Sequence, residues 1–136
     1  MGLIKSMNYF KSLCSMLFLI ATNSFAANNY DLQKLKDFKE CIDCDLRDAD
    51  LRNMDLSGSK LIGADLTGAD LTNSNLTKAD LAASNLSWAI LNGTLLIGAN
   101  LDGAVLINSQ IAFSRMQGAI ICNTVMPDGK ANFIGC

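Results

Sequence analysis

The side chains able to do chemistry in this chain are few, and their spacing is regular. Its 136 residues include five cysteines, 13 carboxylates, 11 basic residues and no histidine. Without imidazole there is no Ser-His-Asp triad, no His-bearing zinc site and no general base poised near neutrality. Cys41-Ile42-Asp43-Cys44 is a single C-x-x-C. A zinc ribbon needs a second such pair, and a redox pair needs a thioredoxin-like setting that the flanking sequence does not provide. The carboxylates recur as ladders instead of converging as an acid–base pair, and Ser and Thr occur without a base beside them. The Gly-Gly-x-Gly-x-Asp nonapeptide of calcium-binding β-rolls is absent. A formal net charge of −2 leaves no basic excess to neutralise phosphates. The expectation is therefore a non-enzyme with no catalytic, cofactor-binding or metal-ligating residues, no cofactor and no nucleic-acid partner.

The N-terminus reads as an address. Lys5 and Lys11 form a positive end, Leu13–Ala21 an apolar stretch of nine residues, and Ser24-Phe25-Ala26 a small-residue cleavage site. The apolar stretch is too short for the ~20 residues that span a bilayer. A signal peptide cut after Ala26 is expected, giving a periplasmic or secreted protein with no membrane span in the mature chain. Cys14 leaves with it. Cys41, Cys44, Cys122 and Cys136 remain, an even number suited to an oxidising compartment. Four cysteines permit three pairings, and spacing alone does not choose among them.

What must position the remaining side chains is a repeat. Stepping by five from Leu46 to Ile121 gives 16 centres, all apolar and 13 of them leucine. In a half-apolar chain such a run has a chance of about 10⁻⁵. Two residues before the centre stand eight Ala, five Ser and Thr94, with Cys44 and Met54 as departures. Immediately before the centre stand six Asp and three Asn, and two residues after it stand seven of the ten glycines. A period of five matches neither 3.6 nor 2, so neither a long helix nor a plain sheet keeps the centres on one side. A turn every five residues does. Each pentad then gives a short extended piece and a corner, and four sides close a square coil whose turns stack at strand spacing. The centre and the small residue point inward, and the glycine suits a corner of unusual φ/ψ.

Stretches such as Ala64-Asp65-Leu66-Thr67-Gly68 and Ala69-Asp70-Leu71-Thr72-Asn73 resemble the pentapeptide-repeat family, A-(D/N)-L-x-x, from Cys44 to about Cys122. The resemblance implies an all-β solenoid, a right-handed quadrilateral β-helix of about four coils. It is nearly silent on function. Leucine-rich repeats need a unit of 20–29 residues with internal L-x-x-L-x-L spacing, which a uniform period of five lacks.

The expected organisation is a signal peptide over 1–26, a capping helix and junction over 27–43, the β-helix over 44–123 and a C-terminal tail over 124–136. Asn28–Glu40 reads as the helix, laying Leu32, Leu35 and Phe38 over the first coil, with Asp31 early and Lys34, Lys36 and Lys39 late. Exported members of the family often carry a cysteine pair at this junction, which favours a Cys41–Cys44 disulfide over two buried thiols. After Ile121 the repeat fades into a Pro127-Asp128-Gly129 turn, and the tail also resembles that of exported members. Two local disulfides are expected, Cys41–Cys44 and Cys122–Cys136, the second worth roughly 3 kcal/mol on the chain-entropy account.

The outward positions divide the rod. On the first two coils they are polar: Asp45, Arg47, Asp50 and Arg52 lie under Asp65, Thr67, Asp70 and Thr72. This is ordinary solvation of a strand face. A cytoplasmic branch of the family uses a negative rod to mimic DNA toward gyrase, but the interleaved Arg47, Arg52, Lys60 and Lys78 oppose that here. Later, Trp88, Ile90, Leu95, Ile97, Val105, Ile107, Phe113 and Ile120 fall outward. They make an apolar belt over three sides, which the tail Ala131–Cys136 could cover or which could be an interface. The expected function is a binding or structural module acting through its outer surface, with a protein partner or a homodimer on the belt. The alternative is an effector or inhibitor that blocks a macromolecular target by surface mimicry.

Overall fold

A computed structural model describes residues 29–136. The expected signal peptide, Met1–Ala26, lies outside the described residues. Helix α1 spans Asn29–Phe38, and strands β1 (Ile121–Val125) and β2 (Ala131–Ile134) close the chain. Between α1 and β1 the chain forms parallel bridges between residues 20 apart, from Glu40↔Lys60 through Asp70↔Ile90 to Val105↔Val125. The bridges are single residues because only a short extended piece fits between two corners. Side one carries Leu46, Leu66, Leu86 and Leu106. Side two carries Leu51, Leu71, Leu91 and Ile111. Side three carries Leu56, Leu76, Leu96 and Met116, and side four Leu61, Leu81, Leu101 and Ile121.

Every corner uses the left-handed region. The residue two after each centre has positive φ without interruption from Asp43 to Asn123. The corner closes by a bond from the N–H three after the centre to the centre's C=O, as from Ser74 to Leu71 at 3.0 Å. Positive φ at the third residue only is the mark of a type II turn, which explains the glycine excess there. Gly68 has a second reason. A Cβ at this position would stand 2.3 Å from Oδ1 of Asp48 on the preceding coil, so the missing side chain makes room for the one beneath.

The amides of a pentad account for the rest of the pattern. Around Leu71, the Asp70 N–H donates back to Ala49 C=O (3.0 Å), while Leu71 and Asn73 donate forward to Ile90 (2.8 Å) and Asn92 (3.0 Å). The Thr72 N–H has no neighbouring-coil acceptor. It donates to Oδ1 of Asp70 at 3.0 Å. Thr67 and Asp65, Thr77 and Asn75, Ala82 and Asp80, Ser87 and Asn85, and Asp102 and Asn100 repeat this bond. Where an Asp or Asn precedes the centre, it is thus a backbone acceptor for the one amide per pentad that stacking leaves over. Reading these residues only as a solvated face missed that role.

The leucine centres from Leu46 to Leu106 are buried, with Ala49, Ala64, Ala69, Ala79, Ala89, Ala99 and Ala104 in the narrower slots. Ile111, Met116 and Ile121 are only partly buried, because no full coil follows them. Buried hydroxyls in these slots differ. Ser84 Oγ donates to Leu81 C=O at 2.7 Å and Thr94 Oγ1 to Leu71 C=O at 2.8 Å, whereas Ser59, Ser74 and Ser109 Oγ have no partner among the described residues.

Helix α1 is shorter than the expected Asn28–Glu40. Lys39, at φ 53°, ends it in the left-handed conformation, and Glu40 already bridges Lys60. Leu35 is buried in the core and Leu32 packs against it. Phe38 does not join them and is 72% exposed, because the helix has passed the edge of the narrow coil by its last turn. Asp31 Oδ2 accepts the Asp45 N–H at 3.0 Å, standing in for the carbonyl of a preceding coil. Cys41–Cys44 and Cys122–Cys136 are both disulfide-bonded. The tail forms a hairpin that was not expected. Val125 C=O accepts from Leu106, the chain turns over Met126–Gly129, and β2 returns antiparallel with Ile121↔Ile134 and Val125↔Ala131.

Replacing Ser74 by Ala removes an unpartnered buried hydroxyl and should leave stability unchanged or raised. Ser84→Ala should cost about 1 kcal/mol, because it deletes a made bond. Chemical denaturation of the two variants side by side checks the difference in sign.

Candidate interaction surface

The expected belt residues all lie on the coil exterior, and their surroundings are uneven. Val105 and Ile107 lie on side one. Trp88 stands at the corner that follows this side, one coil earlier, its N–H donating to Ile107 C=O at 2.9 Å. Ile90 follows on side two, with Phe113 at that side's far corner one coil later. Leu95 and Ile97 lie on side three, and Ile120 stands apart on side four. Phe113 is 92% exposed and Trp88 63%; Ile107 is also exposed, while Ile90, Leu95, Ile97 and Val105 are half-buried. The tail does not cover them, since β2 pairs with β1 at the end of the coil.

Two local features that occur singly elsewhere in the repeat are concentrated on this surface. Trp88 (φ 62°) and Phe113 (φ 58°) occupy corners where Gly, Asn and Asp are the usual residues. A bulky side chain in the left-handed region is strained by roughly 1–2 kcal/mol. Ile90, Leu95 and Val105 also replace the Asp or Asn that accepts the leftover amide. The N–H groups of Asn92, Ile97 and Ile107 have no protein acceptor among the described residues. The belt therefore departs twice from what the fold favours locally, and the sequence carried the signal for both. Apolar residues replace acceptors, and aromatics replace glycine.

The first two coils are the opposite case. Arg47 forms a fork with Asp45 (Nε–Oδ1 2.8 Å, Nη2–Oδ2 2.6 Å) and reaches Asp65 at 3.8 Å. Arg52 does the same with Asp50 (2.8 and 2.7 Å) and Asp70 (3.8 Å). The hydrogen-bonded Arg52 guanidinium holds Asp50 down at about 2. Asp55 is also held at about 2, by the Ser57 hydroxyl and then Lys39. Asp45 and Glu40 are lowered by Arg47 and Lys60 respectively. These carboxylates are neutralised within a pentad or between neighbouring coils, so the polar half is not a bare negative rod. Among the described residues no group of three or more His, Cys, Asp or Glu is placed to hold a metal ion. No helix among them is long and apolar enough to cross a membrane.

Comparison with known proteins bears on this architecture. A family model described as pentapeptide repeats matches in eight copies over residues 40–77 and 84–123. Similar solved structures include HetL of the cyanobacterium Nostoc, described as involved in heterocyst differentiation regulation. It is 26% identical, with 68% of this chain and 51% of that one covered and a TM-score of 0.39. A second pentapeptide repeat protein from Nostoc is 31% identical, covering 71% and 76%, with a TM-score of 0.39. One from the thylakoid lumen of Arabidopsis thaliana is 26% identical, covering 57% and 65%, with a TM-score of 0.26. The chain spans about half the length of HetL. No match to a curated protein was found.

The lowered carboxylates set an acid limit. A carboxylate whose folded pKa is depressed stabilises the fold above its unfolded value of ~4 and loses that contribution as pH falls toward the folded value. The melting temperature should be nearly flat from pH 8 to 5 and should drop between about pH 4 and 2. The contribution of these exposed groups is small and screened by salt, so the drop should shrink at high ionic strength. Thermal melts followed by circular dichroism across pH and salt check this.

Proposed function

The chain belongs to the pentapeptide-repeat family, and we propose that it is an exported, non-enzymatic binding module that docks a protein partner on the apolar belt. In this reading four right-handed coils over 44–123 form the frame. Helix α1 caps one end, the 124–136 tail lies at the other, and the segment over 1–26 directs export. Two disulfides support an oxidising compartment. The leucine and alanine interior fills the coil, and the chemistry available is that of its outer surface.

One observation carries the assignment. The aromatic corners at Trp88 and Phe113 and the missing amide acceptors at Ile90, Leu95 and Val105 coincide on one surface, whereas elsewhere such departures are single, as at Lys60 and Lys78. Local departures from what a fold favours collect where function requires them. Exposed aromatics beside aliphatic neighbours are the usual anchors of a protein interface. The mimicry alternative has less support, because the arginine forks neutralise the acidic coils it would use.

The test exploits the opposed demands of stability and binding. Trp88→Asn places a residue that tolerates positive φ at the corner, as Asn108 already does one coil later. Ile90→Asn restores the acceptor for the Asn92 amide. The double variant should gain roughly 1–2 kcal/mol of stability. It should also lose the partner captured by a photo-cross-linker at position 87 in the native compartment, while one at Asn53 on the polar half captures nothing in either protein. A destabilised variant with an unchanged adduct would reverse the reading.

A further inference from the structure

The far end of the coil carries a second surface, independent of the belt. Sides two and three stop at residues 109–118. The N–H groups of Ile111, Phe113, Met116 and Gly118 occupy the positions from which Leu91, Gly93, Leu96 and Gly98 donate to the next coil. The C=O groups of Ser109 and Ser114 occupy the positions at which Ala89 and Thr94 accept. None of these six groups has a backbone partner among the described residues, and Ile111 and Met116 beneath them are only partly buried. Sides four and one are different. There β1 completes the rung and β2 adds one more strand on top. The end is therefore a step, with one half raised by a strand and the other half lacking one. A hollow of about 530 Å³ lies at its foot, lined in part by Ile111, Met126, Pro127, Ala131 and Phe133. Phe133 and Ile134 of β2 are exposed.

We propose that a second copy of this chain docks on this end about a two-fold axis, each β2 filling the low half of the other. Three features on this end favour that occupant. An unpaired strand edge accepts extended backbone, not a helix or a nucleic acid. The missing layer and the raised layer are both one strand thick, about 4.8 Å, so the step is its own complement. The direction also fits. A two-fold axis through the corners at Gly118 and Asp128 carries side one onto side two and side four onto side three. It turns β2, which runs against its own coil, into a strand running along the partner's residues 110–115. Each β2 then supplies the parallel neighbour that every earlier coil receives from the next. Phe133 and Ile134 come over the partner's Phe113 and Met116, as an isologous contact requires. Charge does not oppose the approach, because Asp128 and Lys130 are paired with each other at 3.3 Å.

Sedimentation equilibrium and native mass spectrometry of the purified full-length protein decide the matter. The expected result is a species of twice the monomer mass at micromolar concentration. Phe133→Asp with Ile134→Asp changes two side chains already exposed in the single chain. This variant should dissociate at least tenfold more readily while its circular dichroism is unchanged. Trp88→Asn, on the belt, should leave the mass doubled. A monomeric wild type, or a dimer that persists in the Phe133→Asp/Ile134→Asp variant, overturns the proposal. So does a dimer lost in Trp88→Asn, which would move the contact to the belt.

Discussion

One backbone requirement governs this protein: a left-handed corner at every fifth residue, closed by a hydrogen bond over the turn. It sets the period and turns the chain through a side. It also leaves one amide per pentad that no neighbouring coil can accept. Where an Asp or Asn precedes the centre, it answers that amide from within the pentad. Leucine and alanine fill the interior because two inward side chains per side leave room for one large and one small. The repeat pattern is thus a list of solutions to local backbone problems, and the inter-coil ladder multiplies them.

Because each pentad is nearly self-sufficient, the outer surface can change without disturbing the core. The first two coils use that freedom to pair charges over short distances, Arg47 with Asp45 and Arg52 with Asp50. The later coils give up the amide acceptor at Ile90, Leu95 and Val105 and place Trp88 and Phe113 at corners that disfavour them. The same leucine column runs beneath both halves. Stability stored in that column is what lets the surface carry strain.

The two ends show the opposite problem, where the repeat has no neighbour to lean on. At the start, Leu35 of α1 sits in the core and Asp31 supplies an acceptor to Asp45. At the finish, a disulfide-tethered hairpin covers two sides and leaves two with unpaired amides. The asymmetry arises because β2 pairs with β1 alone and reaches no farther than Ile134.

Much was legible in the sequence because the information was periodic and local. The interior column, the family resemblance, a corner of unusual φ/ψ behind the glycine excess, and the outward register of Trp88 and Phe113 all follow from counting by five. The structure places Cys41 with Cys44 and Cys122 with Cys136 at disulfide distance. Tertiary structure alone decided matters that depend on a neighbour 20 residues away or on where packing stops. These are the acceptor role of Asp70 and its equivalents, which appears only once Thr72 is seen to lack a partner on the next coil, and the clearance at Gly68 for the Asp48 side chain. They also include the exposure of Phe38 and the fold-back of β2 as a hairpin. Sequence spacing specifies which side chains share a column. It does not specify which backbone groups are left unpaired when the columns are stacked, and that remainder shaped both the corners and the open end.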